Sequence, residues 1–177
     1  MNVEILSELV ITKIHSISTM YTEKKTISRR ENRPLWALVI KYEGETRYIA
    51  NGKEYVSNIN NIAILPKGCT YEWSCMQSGH FSIIEFECDK TYHDIFSFNV
   101  KNGEMYLKII KKMEIDRSLK KLTYTIDEFK NLYSLLSDIL KTVEKKYIPT
   151  CREKKILPAI EYIAKNYNKH IRNADRA

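Results

Sequence analysis

The chain has 177 residues, 44% of them apolar, and its 29 basic and 22 acidic side chains give a formal charge of +7. That length suits one domain of ordinary size with an appendage, and that apolar share builds a core without disulfide staples. Lys, Arg or Glu interrupts every apolar run well short of the roughly 18 residues a membrane span needs, which excludes a transmembrane helix.

Cys69, Cys75, Cys88 and Cys151 show no C-x-x-C spacing, and the N-terminal MNVEILSELV carries Glu4 and Glu8 where a leader would be basic. The expectation is a reduced, cytoplasmic protein with no membrane partner. Charge is unevenly placed: from Lys141 onward there are ten basic side chains and four acidic ones. A basic tail behind a neutral body fits a nucleic-acid-binding appendage, and equally a solvated helix face rich in lysine.

In chain order, Glu8 to Ile17 alternates apolar and polar residues and predicts a first strand. Tyr21 to Pro34, with five basic residues and a closing proline, predicts an exposed arm. Leu35 to Tyr42 (LWALVIKY) is almost continuously apolar, which predicts a strand buried on both faces. Asn51-Gly52 supplies the positive φ of a tight hairpin turn. Lys53 to Val56 then forms a strand, Asn58 to Asn61 a polar break, and Ile62 to Leu65 a buried strand stopped by Pro66 and Gly68. Thr70 to Cys75 alternates strictly, Ser78-Gly79 turns the chain, and His80 to Cys88 is a further strand. Short strands with frequent turns predict a sandwich or barrel rather than βαβ units. Between Asp89 and Leu122 the pattern weakens, and Tyr106 to Ile110 reads as a strand or the rim of one.

At Ile126 the period changes. Apolar residues at Ile126, Phe129, Leu132, Tyr133, Leu136, Ile139, Leu140, Val143 and Tyr147 follow three-four spacing, with Asp127 and Glu128 at the favoured end of the dipole. This stripe either packs on the barrel or pairs with the same helix of a second copy. Pro149 ends the helix. Ile156, Ile160, Ile163, Ala164 and Tyr167 mark another, with Pro158 tolerable in its first turn and Asn168 as its cap. Asn173 then reads as the N-cap of one more helix.

The first half of the chain presents several elements in order: Arg33 before LWALVIKY, Tyr42-x-Gly44, N-G-K-E-Y from Asn51, I-L-P-K-G from Ile64, Tyr71 with Trp73, and Ile84-x-Phe86. The tail places Ile156, Ala159, Ile160, Tyr162, Ile163, Asn166, Tyr167 and Ala177 in an I-x-x-A-[IV]-x-Y-I-x-x-[NH]-[YF] pattern with a later alanine. Together these resemble AraC-type transcription regulators: a cupin sensor barrel followed by the start of a helix-turn-helix module. The chain departs from that pattern in carrying Asn60-Asn61 where relatives have Gly-Asp before the buried strand, a place where asparagine tolerates the left-handed region.

The resemblance implies a mainly β fold with C-terminal helices, a cupin-like jelly-roll barrel followed by amphipathic helices. Residues 1–122 would be the sensor barrel, 123–148 a linker and dimerisation helix, and 149–177 the truncated DNA-binding start. Phe129, Leu132, Tyr133, Leu136, Ile139, Leu140 and Val143 would form a homodimer interface. DNA would be reached only through the part of the module absent from this chain.

Enzymatic cupins hold a metal through an H-x-H pair, a nearby Glu and a distant His. Here Tyr55, Glu72 and Trp73 occupy the corresponding stretch, and His15, His80, His93 and His170 are far apart. No metal, no cofactor and no catalytic residue is expected, and the chain reads as non-enzymatic. On His80 to Cys88, parity puts Phe81, Ile83, Glu85 and Glu87 on one face, with Glu85 pointing into the barrel beside Phe81 and Ile83, and His80, Ser82, Ile84 and Phe86 on the other, against another layer. Tyr71 and Trp73 would form an aromatic wall, with Arg33 and Glu43 as further cavity residues. A carboxylate among aromatics suits hydroxyl or amine ligands, so a sugar-like effector is the leading expectation. Equally, Glu85 pairs with Arg33 or Lys41 and the aromatics fill the barrel. The alternatives to a ligand sensor are a metal-dependent cupin enzyme and a ligand-free dimerisation module.

Overall fold

The alternation that marked the strands closes them into two antiparallel sheets. The computed structural model describes residues 3–143 and 151–166. After a short helix α1 (Glu4–Ser7) come β1 (Ile11–Thr22), β2 (Ile27–Arg30), β3 (Trp36–Lys41), β4 (Glu45–Ala50), β5 (Lys53–Ser57), β6 (Asn61–Leu65), β7 (Tyr71–Gln77), β8 (Gly79–Cys88) and β9 (Phe96–Asn99). One sheet has the order β1-β8-β3-β6-β9 and the other β2-β7-β4-β5. Without β9, this is the strand order of an eight-stranded jelly roll, the architecture that cupins share.

The turns are built by residues suited to them. Asn51 (φ 50°) and Gly52 (φ 73°) both lie in the left-handed region, so β4 and β5 are joined by a type I′ hairpin in which Ala50 faces Lys53. Gly44 (φ 74°) has no room for a side chain: a Cβ there would lie 2.3 Å from the Gln77 carbonyl oxygen. The Asn58 to Asn61 break is a turn held by the Asn58 side chain, whose Oδ1 accepts the Asn60 N–H at 3.0 Å and the Asn61 Nδ2 at 2.9 Å. Neither Asn60 nor Asn61 adopts a positive φ, so the left-handed residue expected there is not needed.

Three further expectations are corrected. The arm from Tyr21 to Pro34 contains β2, an edge strand paired to β7; its ladder is made by backbone groups, and its exposed, charged side chains carry no apolar pattern to reveal it. The first strand starts at Ile11 and continues to Thr22, past the predicted end. Tyr106 to Ile110 belongs to a helix, α2 (Gly103–Ser118), capped by Asn102 Oδ1 accepting the Met105 N–H at 3.3 Å. Its buried side chains Tyr106, Leu107, Ile110 and Met113 recur at helical spacing, diluted by the lysines between them.

Helix α3 (Tyr124–Val143) follows α2, and both cover the outer face of the first sheet. Trp36, Leu38, Ile40, Ile84 and Phe86 from β3 and β8 meet Tyr106, Leu107, Ile110, Leu132, Leu136 and Ile139 in one filled apolar layer. A second cluster between the sheets holds Ala37, Val39, Tyr48, Leu65 and Tyr71. Buried Glu128 of α3 accepts from Arg117 Nε at 2.6 Å and Nη2 at 2.7 Å, while Arg117 also donates to the Ile14 and His15 carbonyls of β1. This bidentate pair locks the helices to the strand where β1 shifts its register against β8.

The chain divides into two compact units, Met1–Val143 and Glu144–Ala177. In the second, helix α4 (Cys151–Asn166) begins earlier than expected and carries Pro158 in its interior, where the proline removes one backbone bond. Ile156, Ile160, Tyr162 and Ile163 are exposed on it. The expectations placed on Tyr147, Pro149, Tyr167, Asn168, Asn173 and Ala177 lie outside the described residues. No helix among the described residues is long and apolar enough to cross a membrane.

Candidate functional site

The site follows from strand parity. On β3 and β8 the residues that point away from the helices face the second sheet, and their register sets them in rows. Lys41 lies beside Phe81, and Phe81 beside Met20. Val39 lies beside Ile83, and Ile83 beside Ser18. Ala37 lies beside Glu85, and Glu85 beside Ser16. Opposite them, the second sheet presents Arg30 beside Tyr71, then Ser28, Trp73 and Tyr48, then Cys75 and Thr46.

Between these rows lies a cavity of about 790 Å³, partly open to solvent. The barrel is therefore not filled by its own side chains. Of the residues expected to form a ligand site, Arg33, Tyr71, Trp73, Phe81, Ile83 and Glu85 all line it. Glu43 does not: it is on the surface, where its Oε1 lies 3.0 Å from His80 Nδ1. That hydrogen bond from His80 holds the Glu43 carboxyl below its ordinary range. Residue 43 follows the end of β3, where strand parity no longer predicts direction. Trp36 is core, fully buried on the helix side of the sheet with its indole N–H donating to the Lys90 carbonyl at 2.8 Å.

One end of the cavity is a polar knot. Arg33 is buried, and it donates from Nη2 to Glu85 Oε1 at 2.7 Å and from Nη1 to the Tyr71 hydroxyl at 2.9 Å. Its Nε is buried with no hydrogen-bond partner. Glu85 also accepts from the Ser16 hydroxyl at 3.0 Å. Arg30 stands at the mouth nearby, and Arg29 is paired with Glu31 at 3.1 Å.

The other end holds Lys41, which the sequence offers only as an alternative partner for Glu85. Lys41 is 1% exposed, and its Nζ donates to Thr46 Oγ1 at 3.1 Å. It forms no ion pair among the described residues. An ammonium has three donors and a full charge to satisfy, and here one hydroxyl accepts a single hydrogen bond from it. Burial accordingly pushes its pKa below the ordinary value, only partly opposed by Cys75, Glu43 and Glu45. The signal was present in the sequence: a lysine inside an apolar strand at the parity that faces the barrel.

The middle of the cavity is apolar and aromatic, with Val39, Ile83, Trp73 and Tyr48. The Tyr48 phenol is held well above its ordinary pKa by burial, reinforced by Tyr71, so it stays a neutral wall residue. Among the described residues no three His, Cys, Asp or Glu side chains group closely enough to hold a metal ion. His15 lies 3.2 Å from Glu87 and His93 lies 3.1 Å from the Gly68 carbonyl, while His170 is outside the described residues.

The residues expected at a dimer interface divide in two. Leu132, Leu136 and Ile139 are buried in the chain's own core, and Phe129 and Leu140 pack against its edge. Tyr133 and Val143 remain exposed at 41% each. The Tyr133 hydroxyl accepts the Ile11 N–H at 2.9 Å, which ties α3 to the start of β1.

Comparison with protein-family models and with curated protein sequences gives no match. Among solved structures, the chain is similar to ToxT from Vibrio cholerae, an AraC-family regulator, at 14% identity over 92% of this chain and 69% of that one, with a TM-score of 0.52. A second ToxT structure, bound to (E)-4-(8-methylnaphthalen-1-yl)but-3-enoic acid, matches at 14% identity over 92% and 70%, with a TM-score of 0.50. The EutQ protein of Clostridium difficile matches over 42% of this chain at 16% identity with a TM-score of 0.37, and the chain spans 57% of its length. At these identities the likeness to ToxT is one of fold.

Proposed function

We propose that this chain is the effector-sensing barrel of an AraC-type transcription regulator, and that its effector is a small apolar molecule bearing a negatively charged group. The carrying observation is Lys41, a buried ammonium in a cavity wall with a single hydroxyl as partner. A bound carboxylate would supply the missing charge in a site of low dielectric, where a charge-assisted hydrogen bond is strong. A sugar is less well matched than the sequence suggested, because Glu85, the expected acceptor of its hydroxyls, is already engaged by Arg33 and Ser16. The protein of similar fold, ToxT, has been solved with an apolar carboxylic acid bound.

On this reading the chain is not an enzyme. Effector binding biases the barrel and the helices packed on it, and the helix-turn-helix module that α4 begins makes the contact with DNA. Homodimerisation would use what α3 leaves exposed, Tyr133 and Val143.

The test is the melting temperature of the chain with decanoate, a naphthyl carboxylic acid, arabinose or glucose. A ligand at a hundred times its Kd stabilises by about 2.7 kcal/mol, so the acids should raise Tm by several degrees. That shift should vanish in Lys41→Met. A shift with the sugars and none with the acids would overturn the proposal.

A further inference from the structure

Once the internal pairs are set aside, the cavity keeps two uncompensated cations. Glu85 balances Arg33 and Glu31 balances Arg29. Lys41 and Arg30 form no ion pair among the described residues, although both line the cavity. They stand at opposite ends of it. On the first sheet the Lys41 and Phe81 row is separated from the Ala37 and Glu85 row by four residues of β3. On the second, Thr46 and Cys75 pair at the Lys41 end and Arg30 faces Tyr71 four residues along β7. Arg33, bonded to both Tyr71 and Glu85, joins the two sheets at that second end. Four residues of extended strand span about 13 Å, and the rows between carry Val39, Ile83, Trp73 and Tyr48.

Resting on the carboxylate-sensing reading above, we propose that the effector carries two anionic groups joined by an apolar spacer, as in a medium-chain α,ω-dicarboxylate. One carboxylate meets Lys41 and Thr46 at their end of the cavity. The spacer crosses the apolar middle. The second carboxylate lies at the mouth, between Arg30 and the Arg33 edge whose Nε has a donor to spare. A monocarboxylate would satisfy the first end and leave the second cation to water, so the site selects for length and for charge at both termini.

The experiment is isothermal titration of the full chain with decanoate, decanedioate, the monomethyl ester of decanedioate and hexanedioate, in the wild type and in Arg30→Gln. A second charge-assisted contact is expected to make decanedioate about tenfold tighter than decanoate or the monoester. Hexanedioate, too short to reach both ends, should lose that advantage. Arg30 is exposed, so Arg30→Gln should fold normally by circular dichroism; it should bring decanedioate down to the affinity of decanoate while leaving decanoate unchanged. Equal binding of decanoate and decanedioate by the wild type, or an advantage that survives Arg30→Gln, overturns the two-anion inference while leaving the carboxylate reading in place. Failure of every acid to bind overturns both.

Discussion

Strands β3 and β8 serve two regions that differ in every physical respect except their backbone. Their helix-facing residues, Trp36, Leu38, Ile40, Ile84 and Phe86, are each 0% exposed and packed against α2 and α3. Their barrel-facing residues, Val39, Lys41, Phe81, Ile83 and Glu85, line a cavity and include two charges. A single pair of strands thus carries a packed face and an open one. One face is close-packed and resists any change of volume; the other keeps open space and an ammonium with no ion pair among the described residues, an arrangement that costs stability.

Substitutions that cross this divide should have graded effects. Phe86→Ala, on the filled face, should lower stability by about 3–5 kcal/mol, whereas Ile83→Ala, one turn of the pleat toward the cavity, should cost clearly less because its site already borders open space. Denaturant unfolding measures both, and equal losses would mean that the two faces are packed alike. Comparable in size is the effect at the link that holds the filled layer together. Arg117→Ala leaves Glu128 buried and unpaired and should cost about 3–5 kcal/mol, and the double variant Arg117→Met with Glu128→Leu should recover most of it. Lack of recovery would show that the two β1 carbonyls held by Arg117, and not the charge pair, set the loss.

Smaller and of opposite sign is the effect at the cavity. Lys41→Met should stabilise the ligand-free chain by about 1 kcal/mol by removing a buried, poorly compensated charge, a rise of about 2–4 °C in Tm. The pH dependence has a definite direction. The folded pKa of Lys41 lies below its ordinary 10.5, so between those two values the unfolded chain holds more proton and stability rises with pH. The gain from Lys41→Met should therefore be largest below that window and shrink as the pH approaches 10.5. A gain that is independent of pH would remove desolvation as its cause. The smallest effect belongs to the surface: Glu43→Gln, at a carboxylate exposed beside His80, should change neither Tm nor acid binding measurably.

Legibility in the sequence followed the same divide. The parity of HFSIIEFEC correctly separated Ile84 and Phe86 from Phe81, Ile83 and Glu85, because in a strand the side-chain direction depends on nothing but the count of residues. The Asn51-Gly52 hairpin and the α3 helix were legible for the same reason: each is written in a few neighbouring residues. Helix α2 escaped because its apolar positions are interleaved with Lys108, Lys111 and Lys112, and β2 because an edge strand needs only backbone partners. Lys41 was visible as an oddity in an apolar strand. Its significance depended on which carboxylates could reach it.

Strand parities, the turns, the long amphipathic helix and the barrel-facing positions of β8 are legible in neighbouring residues, since all of these are properties of local periodicity. Three things came from the closed fold. Leu132, Leu136 and Ile139 were committed to the chain's own core, Glu85 was given to Arg33 across a separation of 52 residues, and Lys41 was left with Thr46. The physical reason is that direction along a strand is set by the chain itself, whereas the partner of a buried charge is set by whichever side chains the closed barrel brings within reach.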